Sequence, residues 1–230
     1  MATKPASRAR RSTRRRPSRT TALARAGAGA GAGATGRALA ESKVALDGAD
    51  LAGADLSGLA LRGRALRGAD LSGADLTGAS LLACDLRGAR LGGAKLAGAR
   101  LALCDLRGAV LDGAQLHGAR IAACAFTAAQ LTRADLGQAR LAAVSLAGAH
   151  LERASLAAAK LVLCSLAAAD LTGARLDGAT LLLSWLPGAD FTRARLTRAR
   201  FTLSALGGAL FDRVSGLDDH SFALSWGGAA

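Results

Sequence analysis

The residues best suited to chemistry in this 230-residue chain are four cysteines and three histidines. Cys84, Cys104, Cys124 and Cys164 lie at intervals of 20 or 40 residues. Thiols so placed could pair as disulfides or ligate zinc. His117, His150 and His220 are scattered, and no His or carboxylate converges on the cysteines. No nucleophile–base pairing, metal-spaced cluster or phosphate-binding loop stands out. The pattern argues against an enzyme and implies neither cofactor nor metal. What remains is electrostatic. The net charge is +13, but residues 1–40 hold ten basic residues and no acid. The remainder holds 20 basic and 17 acidic residues, a net of +3. The chain reads as a near-neutral body carrying a basic arm.

The body is organised by a beat of five. From Leu46 to Phe211 every fifth residue is large and apolar, 34 positions in all. They are Leu except at Ile121, Phe126, Phe191, Phe201 and Phe211. A typical unit runs Ala-Asp-Leu-Ser-Gly, as from Ala69 to Gly73. On a helix, five residues advance the direction by about 140°, so the leucines would scatter around the axis. On a flat strand, an odd period would send successive leucines to opposite faces. The pattern holds only if the chain turns within every unit, with Ala and Leu inward and a corner after them. Gly is frequent at that corner, as at Gly48, Gly53 and Gly58, where a permissive backbone is useful.

The exceptions count the corners. Of the 34 small positions from 44 to 209, 24 are Ala. The ten others are Val44, Leu59, Arg64, Cys84, Cys104, Cys124, Val144, Cys164, Ser184 and Ser204. All but Leu59 fall on one spacing of 20. Four sides of five residues therefore make one coil, and equivalent residues stack in columns. The span predicts about eight and a half coils. Stacked at roughly 4.8 Å, they form a rod about 40 Å long.

Units such as Ala49-Asp50-Leu51-Ala52-Gly53 and Ala74-Asp75-Leu76-Thr77-Gly78 resemble those of the pentapeptide-repeat family, whose pattern is Ala-(Asp/Asn)-Leu-x-x. The resemblance covers about three quarters of the chain and implies an all-β fold, a right-handed quadrilateral β-helix over residues 41–214. Some members of that family imitate duplex DNA and bind DNA gyrase, a topoisomerase. Such mimicry calls for an acidic rod, which a body of +3 does not supply.

The cysteines all fall in the inward odd column, where they read as free, buried thiols filling small spaces. Reduced thiols fit a cytoplasmic location. Arg64 in the same column predicts a local bulge that turns it outward, because a buried Arg without a partner is costly. The residue before each Leu faces solvent. One such column reads Arg100, Arg120, Arg140, Lys160, Thr180, Arg200, a basic ladder suited to an anion or a charged partner. Just around the corner the usual polar residues become apolar. Leu82, Leu103, Val162, Leu163, Leu182, Leu183 and Leu203 form a strip, with Trp185 beside it. An exposed strip of this kind marks an interface: a protein partner, a homodimer contact, or coverage by the arm or the C-terminal tail. Asp85, Asp105, Arg87 and Arg107 suit cross-rung ion pairs.

The apolar register fails after Val214, leaving Leu217, Phe222, Leu224 and Trp226 to cap the last coil from a tail, residues 215–230. Residues 1–40 read as a disordered Arg-rich arm and an Ala/Gly linker. Nucleic acid is one target for such an arm; a targeting segment or a solvated terminus are the others. No apolar run approaches the roughly 18 residues of a membrane helix. The sequence thus predicts a non-catalytic scaffold for protein–protein interaction.

Overall fold

The computed structural model describes residues 46–218, 221–223 and 225. The expectations for residues 1–40, Leu224 and Trp226 lie outside those residues.

The chain is a four-sided β-helix. One side carries eight three-residue strands: β1 (Ala60–Arg62), β2 (Ser80–Leu82), β3 (Arg100–Ala102), β4 (Arg120–Ala122), β5 (Arg140–Ala142), β6 (Lys160–Val162), β7 (Thr180–Leu182) and β8 (Arg200–Thr202). They pair in parallel in sequence order, each residue opposite the one 20 positions on. Seven turns therefore separate β1 from β8. The other three sides are held by single parallel bridges in the same register, from Asp50↔Asp70 to Arg195↔Ser215. Backbone amides stitch each coil to its neighbours: Arg90 N–H donates to the Ala69 carbonyl at 2.9 Å and Leu91 N–H to that of Val110 at 2.6 Å.

The five-residue beat produces this shape through burial. Each large residue of the series from Leu46 to Leu206 is buried, as is nearly every Ala two positions before it. Each Leu so buried stabilises the rod by roughly 1.5–3 kcal/mol. Ala is needed because two side chains per side must share a narrow interior. Toward the C-terminus three phenylalanines replace Leu. Phe191 meets Phe201 edge-on at 5.6 Å between ring centres and stacks on Phe211 at 5.0 Å.

Three of the four corners close in the same way. The amide three residues after the Leu donates back to its carbonyl, as from Ala69 to Leu66 at 3.1 Å and from Ala79 to Leu76 at 2.9 Å. At the fourth corner, after the β-strands, that local bond is absent, and at several coils the side chain of the next coil reaches in instead. Ser204 Oγ donates to the Leu181 carbonyl at 3.1 Å and accepts from the Ser184 amide at 3.2 Å. Cys104 Sγ likewise reaches the Leu81 carbonyl at 3.4 Å. Cys and Ser suit the odd column because a small side chain there can both donate and accept, although buried Val144 shows that the corner also closes without such a group.

Arg64 departs from the expectation of a bulge. Ala65 pairs with Asp85 and the Asp85 amide donates to the Arg64 carbonyl at 2.9 Å, so the 20-residue register passes through unbroken. Arg64 is half-buried there. At the C-terminal end the register fails as expected, by one residue: Phe201 N–H donates to the Ser221 carbonyl at 2.6 Å and Leu203 N–H to that of Ala223 at 3.1 Å, each one position later than the pairing of earlier coils, such as Leu183 N–H with the Thr202 carbonyl. Phe222 lies over the Phe201 ring at 5.3 Å, while Leu217 is exposed. Ser225 Oγ continues the bridging column, donating to the Phe201 carbonyl and accepting from the Ser204 amide.

Ser204→Ala would leave the Ser184 amide unpaired in the interior and take from the Leu181 carbonyl the second donor it has beside the β7–β8 ladder. The expected loss is about 1–3 kcal/mol, read as a lower urea midpoint. Ser204→Cys, which can make the same two contacts, should retain most of the stability.

Candidate functional site

All four cysteines are buried and free. Cys104 N–H donates to Cys124 Sγ at 3.3 Å. Cys84 is held above the ordinary thiol range, first by its hydrogen bond with Cys104 and then by burial. Contact with Cys124 pushes Cys104 up to about 11, and burial pushes Cys164 up. Cys124 is drawn down by its hydrogen bond with Cys104. These thiols take part in corner closure and face no solvent.

The β1–β8 side carries the outward features. Its outer surface alternates with the strand period, so residues 100 and 102 point out while Leu101 points in. Arg100, Arg120, Arg140, Lys160 and Arg200 are all exposed and stack in register, with Thr180 between the last two. None of the five forms an ion pair among the described residues. Two residues along each strand, Leu82, Ala102, Ala122, Ala142, Val162 and Leu182 stack into an unbroken apolar column. Ala122 and Ala142 carry the column from Ala102 to Val162. Arg100, Arg120 and Arg140 form one wall of a shallow groove floored by Ala102, Ala122 and Ala142.

The next residue in each coil makes the corner, and its backbone is left-handed. Leu103 has φ 56°, Leu163 56°, Leu183 50° and Leu203 50°. Gly fills the corresponding corner position at Gly63. Leucine there costs roughly 1–2 kcal/mol. Leu103 and Leu163 are nonetheless about 60 % exposed, at 62 % and 60 %. Leu183 and Trp185 are exposed as well, and Leu203 is half-buried. The rod therefore accepts backbone strain to display leucine to solvent.

The pentapeptide repeats profile matches in eight copies, over residues 45–81, 84–121, 124–161, 149–181 and 184–213. The chain belongs to the pentapeptide repeat family. Among solved structures it is similar to HetL, a pentapeptide repeat protein involved in heterocyst differentiation regulation from the cyanobacterium Nostoc sp. strain PCC 7120. The two are 30 % identical, the match covers 70 % of this chain and 84 % of that one, and the TM-score is 0.39. It is also similar to trypsin-treated QnrB1, a plasmid-mediated fluoroquinolone resistance protein, at 24 % identity. That match covers 78 % of this chain and 89 % of the other, with a TM-score of 0.50. A search of curated proteins finds no significant match.

Two charged sets complete the surface of this pentapeptide repeat protein. Asp85 receives hydrogen bonds from Arg67 Nε at 2.6 Å and from Arg87 Nη2 at 2.7 Å. Arg107 clamps Asp105 through Nε and Nη2, at 2.9 and 2.6 Å. Arg67 and Arg87 reach Asp85 from adjacent rungs. The second set was not visible in the sequence. His150, Glu152 and Asp170 bring one donor atom each within 4.8 Å of one another. Local spacing shows only His150 and Glu152; the 20-residue stacking supplies Asp170. No helix among the described residues is long and apolar enough to cross a membrane.

Two outcomes follow. Leu163→Gly and Leu183→Gly each relieve a strained corner while removing little buried surface. Each should raise stability by about 0.5–1 kcal/mol in a urea titration; a fall would mean that the leucine packs on its own rod. For Asp85, the hydrogen bond from Arg87 and then that from Arg67 hold the carboxyl well below the usual range. Its contribution to stability is complete above the unfolded carboxyl value near about 4 and is lost progressively as pH falls from there toward the depressed folded value. Asp85→Asn should flatten the acid limb of the stability profile between roughly pH 5 and pH 2.

Proposed function

We infer that this protein is a non-catalytic scaffold that binds another protein through the β1–β8 side. The observation that carries the reading is the exposed leucine at left-handed corners. Glycine would make the same corner at lower cost, so the rod alone has no need of Leu103, Leu163 or Leu183. The complementary partner presents apolar side chains to this ridge and carboxylates to the adjacent arginine ladder. Such a partner also relieves the repulsion between like charges stacked on successive rungs. Free, buried thiols support a cytoplasmic setting.

A photo-crosslinking residue placed at position 103 or 183 in cells tests this directly. Protein adducts should form from those positions and not from position 130, on the opposite side. They should weaken in the Arg120→Glu background. Equal adducts from both sides would overturn the assignment. If the partner is a second copy, Leu183→Lys should lower the mass measured in solution by light scattering. The DNA-mimic reading finds support in the fold shared with QnrB1 but not in the charge of this face. It predicts inhibition of gyrase supercoiling, or its protection from a quinolone, by the purified protein. Binding to nucleic acid through residues 1–40 would instead appear as salt-sensitive DNA binding that vanishes when Met1 to Arg37 are removed.

A further inference from the structure

On the side opposite β1–β8, one column of outward residues reads Gln130, His150, Asp170, Asp190. The rod stacks carboxylates on adjacent rungs at four places, and three of these contain a cation. The Asp50/Asp70 pair has Arg90 at 3.9 Å from Asp70. The Asp55/Asp75 pair has Lys95 at 3.9 Å from Asp75. The Asp85/Asp105 pair has Arg67, Arg87 and Arg107. The fourth pair, Asp170/Asp190, has no ion-pair partner among the described residues. Glu152 adds a third carboxylate beside it, and its only ion-pair neighbour among those residues is His150. Negative charge is thus collected at one point of the ladder without the Arg or Lys that accompanies it elsewhere.

The three nearest groups are placed as ligands. His150 Nδ1 lies 3.5 Å from Glu152 Oε1. Two donors bound to one ion at roughly 2.1 Å in tetrahedral geometry stand about 3.4 Å apart. Each carboxylate has one oxygen fixed by the protein. Thr132 Oγ1 donates to Glu152 Oε2 at 3.2 Å, and the Thr172 amide donates to Asp170 Oδ1 at 2.8 Å. Glu152 Oε1 is left to face His150, and Asp170 keeps a second oxygen free of that amide. Anchoring of this kind orients ligands before an ion arrives. The backbones are rigidly spaced, because His150 and Asp170 are bridged partners on neighbouring rungs.

We propose that His150, Glu152 and Asp170 form a binding site for one divalent transition-metal ion of the zinc class. An imidazole with two carboxylates favours such an ion over magnesium or calcium, which take all-oxygen sets. Three protein ligands leave coordination positions open to water or to a partner's side chain. Two carboxylates neutralise the ion's charge, and the ion supplies the cation that the Asp170/Asp190 stack lacks. The proposal is independent of the β1–β8 interface, since it lies on the other side of the rod.

The test is calorimetric titration of the untagged full chain, stripped of metal by chelator, with Zn2+ and separately with Mg2+ and Ca2+. One equivalent of Zn2+ should bind, with no response to the other two. His150→Ala and Asp170→Asn should each weaken binding by roughly tenfold or more, with unchanged circular dichroism. His117→Ala should leave it intact. Absence of zinc binding overturns the proposal. So does binding that survives His150→Ala, or binding that is lost when the thiols of the parent protein are alkylated, which would assign the ion to the cysteines.

Discussion

The structure depends on one constraint: four corners must be turned in 20 residues so that each coil's amides meet the carbonyls of the next. The ladder tolerates no drift, because every rung inherits its register from the one before. Three corners meet the constraint with a local backbone hydrogen bond. The fourth is too wide for it and borrows a side chain from the following coil. Most of the residues that look exceptional in the sequence stand at that corner. Cys and Ser both suit it because a thiol and a hydroxyl can receive an amide and donate to a carbonyl.

Once the ladder is fixed, the interior has little freedom. Ala and Leu alternate inward because the cross-section admits one small and one large side chain per side. Variation moves outward, to the residue before each Leu and to the two corner residues. The rod's character there is uneven. Corner glycines predominate in the first coils, whereas Leu, Arg, Ala and Gln occupy left-handed corners in later ones. Each departure from Gly carries a backbone cost, so the later coils carry more strain at their surface. That asymmetry distinguishes a decorated side from a merely repetitive one.

Much of the fold was legible because burial acts at a fixed period. Leu every fifth residue excluded a helix and a flat strand, and the odd column counted the sides. Stacking predicted which outward residues would align, and Arg100 to Arg200 do so. Other features depended on geometry that side-chain type does not encode. The bulge expected at Arg64 does not form, because the backbone there keeps its pairing through Ala65 and the Arg64 carbonyl. The tail leaves the register, as its residue types imply, but its backbone goes on pairing one residue out of step, through Ser221 and Ala223. The cluster of His150, Glu152 and Asp170 escaped notice because its members come from two rungs, and a search along the chain looks for neighbours a few positions apart.

A coil of 20 residues corresponds to 60 base pairs of coding DNA. Duplicating or deleting a block of that length adds or removes one rung and leaves every column continuous, whatever the starting point. A block encoding five or ten residues keeps Leu inward, but it shifts the wide corner away from its Cys and Ser and breaks both surface stripes. A block whose length is not a multiple of five residues drives polar side chains inward. Slippage of the gene in units of 60 base pairs is therefore the change this architecture absorbs most readily. Rod length and the extent of its recognition side are open to evolutionary adjustment together, while the chemistry of each rung is conserved by geometry.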